Sequence, residues 1–229
     1  VILLMIALIM FIVYFFMDKK LDEQTGAEEE KDDPFRVADI GKIFSSSGFW
    51  LVALLCVLYY SAIFPFQKYA VNMLQCNLTF TEIPKGSFWA SNTVAVVQYV
   101  VMLIVALTSF MSNFQKKSSQ KILLAVAVIF LIVFCFMSYK RQSAESIFAV
   151  FPLLAVGITP ILGKYVDNKG KAASMLMLGS ILLIVCHLTF AFLLPLLKGN
   201  DLGGFILAFV TILILGSSFS LVPASLWPS

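Results

Sequence analysis

Metal-binding and redox side chains are scarce in this 229-residue chain: it has one histidine, His187, and four cysteines, Cys56, Cys76, Cys135 and Cys186, each alone in an apolar stretch. Without a CxxC pair or a second histidine, neither a zinc site nor a disulfide framework is suggested, and the thiols read as packing residues. Charge is scarce as well. Only 13% of residues are charged and 60% are hydrophobic, against roughly 25% charged residues in a soluble domain, so a soluble globular fold is excluded. The net charge is +3, and nine of the 13 acids crowd between Asp18 and Asp39, which leaves no basic footprint for nucleic acid. No GxSxG, HExxH or Walker sequence is present, so no catalytic residue is assigned, no cofactor or metal is implied, and the chain is not read as an enzyme.

What the chain does have is long intervals free of charge. About 20 apolar residues at a 1.5 Å rise cross a ~30 Å hydrocarbon core, and seven intervals approach that length: Val1–Met17, then spans expected at about 49–75, 88–112, 121–139, 146–166, 172–196 and 203–227. The fold class expected is therefore an all-α polytopic membrane protein surrounded by lipid. Val1–Met17 has no basic flank and no small-residue cleavage site, so it reads as part of a spanning helix and not as a signal peptide. Eleven of the 16 basic residues fall in the segments 18–42, 116–121 and 164–171, which assigns those to the cytoplasmic side. Lys140 and Arg141 count against that orientation.

The long connection at 18–48 begins with a polar, charged run that cannot bury a core. Further on, Asp33-Pro34 is a helix-starting pair, and Phe35, Ile40, Ile43 and Phe44 can share one face of a short helix on the membrane surface; a plain linker fits equally well. No Asp or Glu lies inside any span, so a proton-coupling carboxylate belongs to chain outside this sequence or transport is passive. Glu82, Glu145, Asp167 and Asp201 are expected in loops. His187 is mid-span, either a cavity residue or one bonded to a neighbouring helix. Pro65, within Phe64-Pro65-Phe66, predicts a broken or bent helix. Gly216-Ser217-Ser218 predicts close helix contact, and Asn77-Leu-Thr79 fits a glycosylation sequon.

The stretch Gly163-x-x-x-Asp167-Asn168-x-Gly170-Lys171, between two spans, resembles the G-x-x-x-D-R-x-G-R/K signature of the major facilitator superfamily. The resemblance implies that Gly163, Asp167, Gly170 and Lys171 belong to a conformational gate on the cytoplasmic side. Asn168 stands where the signature has arginine, which weakens its charge-relay part. Two further stretches, Phe49-Trp50 through Tyr59-Tyr60 to Phe64-Pro65-Phe66 and Ser220 through Trp227-Pro228, are similar to the seventh and tenth helices of the superfamily's dipeptide-transporting members, lysosomal and bacterial. On that indexing, residues 1–17 end the sixth helix, 18–48 join the two bundles, and 49–229 form an incomplete C-terminal bundle with two inserted helices. Helices one to five, eleven and twelve lie outside the chain. A rival indexing, as in fourteen-helix facilitators, puts the added pair directly after the sixth helix and makes 121–139 the seventh; it removes Tyr60 and Phe64 from the cavity.

The resemblance implies alternating access around a central site, with Tyr59, Tyr60 and Phe64 as walls, Gln67 or Lys68 facing a peptide carboxylate, and Trp227 closing the opposite wall. Helix packing is the competing role for each of them. The function implied is secondary transport of small solutes, dipeptides foremost, as a uniporter. The alternatives are a proton-coupled exporter or organic-anion carrier of the same superfamily, and a non-transporting scaffold working with an accessory membrane protein. A bacterial inner membrane is preferred over a lysosomal one because the loops are short and a helix pair is inserted. The orientation is directly testable: in a cysteine-free background, Lys117→Cys and Lys169→Cys are expected to react with an impermeant maleimide from the cytoplasmic face only, and Gln142→Cys from the opposite face only. Labelling of all three from one side refutes it.

Overall fold

The computed structural model describes residues 12–13, 16–17, 20, 37–84, 86–170, 172–198 and 201–226. Among these residues the chain is helical without strands, and six helices are long and apolar enough to cross a membrane. This is the architecture of a polytopic membrane protein. The seventh expected span, Val1–Met17, lies outside the described residues apart from Ile12, Val13, Phe16 and Met17, and so do Phe35 and the Asp33-Pro34 cap.

The chain divides into two compact units, residues 1–56 and 57–229. In the first, α1 (Val37–Ser45) is the short helix expected in the connecting segment, and its Ile40, Ile43 and Phe44 side chains are exposed. Ser46 separates α1 from α2 (Ser47–Asn77). The junction is fixed by aromatic contacts: the Trp50 indole N–H donates to the Phe44 carbonyl at 2.8 Å, and the Phe44 and Phe49 rings meet edge-on at 5.5 Å.

The second unit holds the rest of α2, then α3 (Asn92–Ser112), α4 (Lys117–Lys140), the short α5 (Ala144–Phe148), α6 (Val150–Lys169), α7 (Ala172–Leu196) and α8 (Asp201–Leu226). Their ends follow from local chemistry. The Ser91 and Ser143 hydroxyls accept from the Val94 and Ser146 N–H groups and cap α3 and α5. Gly170 ends α6 in the left-handed region (φ 62°), a conformation that needs glycine, with its N–H on the Val166 carbonyl at 2.7 Å. Gln142 is also left-handed (φ 47°) and lies at the centre of the three-residue connection, 141–143, between α4 and α5.

Packing centres on α8. Of its spanning window 61% is buried inside the protein, against 11% to 28% in the other five, so among the described residues α8 is the internal helix and the others leave a broad face uncovered. It packs against α6 and α7, while α3 packs against α4 and α6. Lipid tails are as apolar as leucine, so these contacts depend on small residues that let backbones approach. A Cβ at Gly216 would meet the Phe151 carbonyl of α6 at 2.9 Å, and one at Gly157 would meet the Ser109 side chain of α3 at 2.5 Å. The Ser218 hydroxyl donates to the Gly179 carbonyl of α7 at 2.6 Å, while the Ser218 carbonyl accepts from the Tyr59 hydroxyl of α2 at 2.9 Å. The close contact expected of Gly216-Ser217-Ser218 is thus present, and Ser218 ties three helices.

Several expectations are corrected. Residues 117–121 and 164–169 are helical, not loop, because long lysine side chains reach the interface while the backbone stays helical. Glu145 and Asp201 lie in first helical turns and Asp167 in the last turn of α6. Pro65 does not break α2, which runs from Ser47 to Asn77; the proline removes one N–H, the partner of the Ser61 carbonyl, and the turns on either side hold. The helix that does deviate is α7. Thr189–Leu193 is a wide π turn in which the Leu194 N–H reaches back to the Thr189 carbonyl, immediately before Pro195. A proline cannot bond the carbonyl four residues back and crowds it, so the ladder widens there.

Thermal unfolding in detergent tests this packing. Gly216→Leu is expected to destabilise by about 1–3 kcal/mol through overpacking, and Ser218→Ala by ~0.6 kcal/mol, at most ~1.7. Gly163→Ala, whose Cβ meets nothing within 4 Å, should be neutral or stabilising by up to ~1 kcal/mol.

Candidate functional site

The aromatic cluster expected on α2 has two faces. Tyr59, Ile63, Ala70 and Leu74 follow one helical stripe and are buried. Tyr59 therefore packs at the seam with α8, where its hydroxyl is held by Ser218. Tyr60, Phe64 and Gln67 lie one position further round at i, i+4 and i+7, and they are half-buried, exposed and half-buried respectively. Tyr60 stacks on Phe64 at 5.3 Å, meets Tyr59 edge-on at 5.8 Å, and approaches Phe219 of α8 at 6.5 Å. So Tyr60, Phe64 and Gln67 form an accessible strip beside α8. Lys68 is exposed, with its amine 5.8 Å from the Tyr69 ring. Trp227 and Lys171 are outside the described residues, as is the side chain of Asp167.

Below Tyr60 the same helix builds an aromatic column. Phe66 stacks on Phe190 of α7 at 5.3 Å and meets the His187 ring at 5.5 Å. Only a carbonyl faces His187 Nδ1, the Leu183 oxygen at 2.9 Å, so that nitrogen carries the proton and donates. His187 is bonded to its own helix rather than to a neighbour.

In the stretch resembling the gate signature, Gly170 is required by its left-handed backbone, and Gly163 faces open space. The Asn168 amide turns back to donate to the Lys164 carbonyl at 2.7 Å. Of the serines near the end of α8, Ser217, Ser220 and Ser225 each donate to the carbonyl four residues earlier, which leaves Ser218 as the one that crosses to another helix.

Two features escape the sequence reading. The first is a groove of about 330 Å³ between α4 and α8, lined by Leu131, Cys135, Phe136, Phe205 and Phe209 among others. It is apolar throughout and suits hydrocarbon. The second is a polar cluster among α3, α4 and α5. Gln98 is buried; its amide donates to the Ser138 hydroxyl at 2.9 Å and accepts from Ser146 at 3.4 Å, while Ser138 donates to the Phe134 carbonyl. Arg141 lies beside it and donates from one terminal nitrogen to the Trp89 and Ser91 carbonyls at 3.2 and 3.4 Å. The available signal was Gln98, a lone amide within an apolar run, together with the polar sequence Arg141-Gln-Ser-Ala-Glu145-Ser146.

No group of three or more His, Cys, Asp or Glu able to hold a metal gathers among the described residues. Compared with protein-family models, curated proteins and solved structures, the chain matches none of them.

Proposed function

We propose that the chain is part of a secondary transporter of the major facilitator type that moves small solutes, dipeptides foremost, by alternating access. The observation that carries the reading is the adjacency of α2 and α8. These are the two helices whose sequences resemble the cavity-lining ones, and they meet at Tyr59 with Ser218 and at Tyr60 with Phe219 while Tyr60, Phe64 and Gln67 stay accessible. An aromatic strip ending in an amide suits a peptide: rings pack against its side chains and the amide bonds its backbone. The end-turn positions of Glu145, Asp167 and Asp201 leave the middles of the described spans without a carboxylate, which favours passive movement over proton coupling.

Flux of a labelled dipeptide into proteoliposomes tests this. Tyr60→Ala is expected to weaken half-saturation about 2- to 10-fold, the worth of one aromatic contact, whereas Leu103→Ala, at an exposed position of α3 away from both α2 and α8, should leave it unchanged. Collapsing the proton gradient should not alter the flux. Flux of another solute class alone would move the assignment to the exporter or anion-carrier reading, and partner binding without flux would move it to the scaffold.

A further inference from the structure

At the end of the bundle away from Lys117 and Lys169, α3, α4 and α5 line a partly open cavity of about 100 Å³ whose polar walls are Gln98, Tyr99, Arg141, Ser143, Glu145 and Ser146. We propose that this cavity binds a small zwitterion, with Arg141 pairing its anionic group and Glu145 its ammonium.

The two charges are arranged for a guest and not for each other. Arg141 has one terminal nitrogen held by the Trp89 and Ser91 carbonyls, while its Nε is buried without a partner. A guanidinium anchored at one nitrogen, with Nε free, keeps donors in the geometry that grips a carboxylate or phosphate. The Glu145 carboxylate is exposed and is met by neutral donors, the Ser143 hydroxyl at 2.9 Å and the Gln75 amide at 3.4 Å, so its charge stays open to a ligand. Both residues line one cavity, yet among the described residues they form no ion pair with each other. Two opposite charges held apart on the wall of one cavity leave a place for a ligand that carries both signs.

The remaining wall is already rigid. Gln98 is fixed by Ser138 and Ser146, and its second N–H and second lone pair are free for a ligand. The Gln142 turn holds Arg141 in place: its amide donates to the Tyr139 carbonyl at 2.6 Å. The size is also limiting. A cavity of ~150 Å³ holds benzene, so this one admits only a few heavy atoms, such as a free amino acid or the end of something larger. Trp89, and Lys140 lying over Phe136, mark this end as the membrane interface. The same chemistry, an anion beside a primary ammonium, can therefore come from a free amino acid or from an ethanolamine phospholipid headgroup. None of the lining residues lies on α2 or α8, so the site stands or falls independently of the transport reading.

The test is the unfolding midpoint of the purified full chain in detergent with alanine, propionate, ethylamine or glycerophosphoethanolamine at equal concentrations. A zwitterion is expected to raise the midpoint more than propionate or ethylamine. R141Q should weaken its apparent affinity about tenfold or more, and E145Q should shift preference toward propionate. A rise with alanine assigns a free amino acid, and a rise with glycerophosphoethanolamine alone assigns the headgroup; either supports the site. The proposal is overturned if neither zwitterion shifts the midpoint, if propionate matches alanine, or if both variants keep the full response. The ligand comparison on the unaltered chain decides even if R141Q fails to fold.

Discussion

The second unit depends on the approach of α8 to the backbones around it. Hydrocarbon offers no hydrophobic reward for helix association, so what holds helices together is contact density and the few hydrogen bonds that cross between them. Residues 216–218 supply both: Gly216 lets the Phe151 carbonyl of α6 come close, and Ser218 bonds Gly179 of α7 while its own carbonyl receives Tyr59 of α2. Cys186 adds a weak thiol contact to the Thr211 carbonyl further along the same seam. With α8 fixed in this way, α2 is placed by the Tyr59 hydroxyl, its buried stripe at Ile63, Ala70 and Leu74, the aromatic column and the Gln75 amide on Glu145, and its remaining face is left accessible.

The six spans among the described residues and the helix contact at Gly216-Ser217-Ser218 were legible in the sequence because they rest on composition, and the membrane selects composition strongly. Helix ends were less legible. Lys117, Lys121, Lys164 and Lys169 mark where the hydrocarbon stops, which the helices overrun by one turn or more. Pro65 shows a related limit: a proline costs a helix one hydrogen bond, and whether the chain breaks there depends on neighbours that a sequence does not show. The same limit applied to Tyr59 and Tyr60. Adjacent tyrosines look equivalent in sequence, but one step of helix turns the first into the seam and the second toward open space.

The polar cluster was harder to see because its members come from three helices. Gln98 alone is an amide in an apolar run, and Arg141 and Glu145 alone are interface charges. Only the close packing of α3 on α4, with α5 set across their ends by the Gln142 turn, brings them to one cavity. The accessible strip on α2 and this cavity also differ in kind. The first is an aromatic surface on a single helix, the second a small, partly open cavity with fixed donors and a charge of each sign.

The wide turn in α7 corrects a phase error. Cys186, Phe190 and Leu194 are all buried, yet eight residues of regular α-helix advance by about 800°, some 80° beyond two full turns. A straight α7 would carry Leu194 toward the edge of the stripe that holds Gly179, Leu183 and Cys186. The π turn at Thr189–Leu193 takes more residues per revolution and absorbs the excess, so both halves of the helix keep the same side toward the interior. Pro195 thus follows a change of pitch that brings Leu194 into line with Cys186 and Phe190.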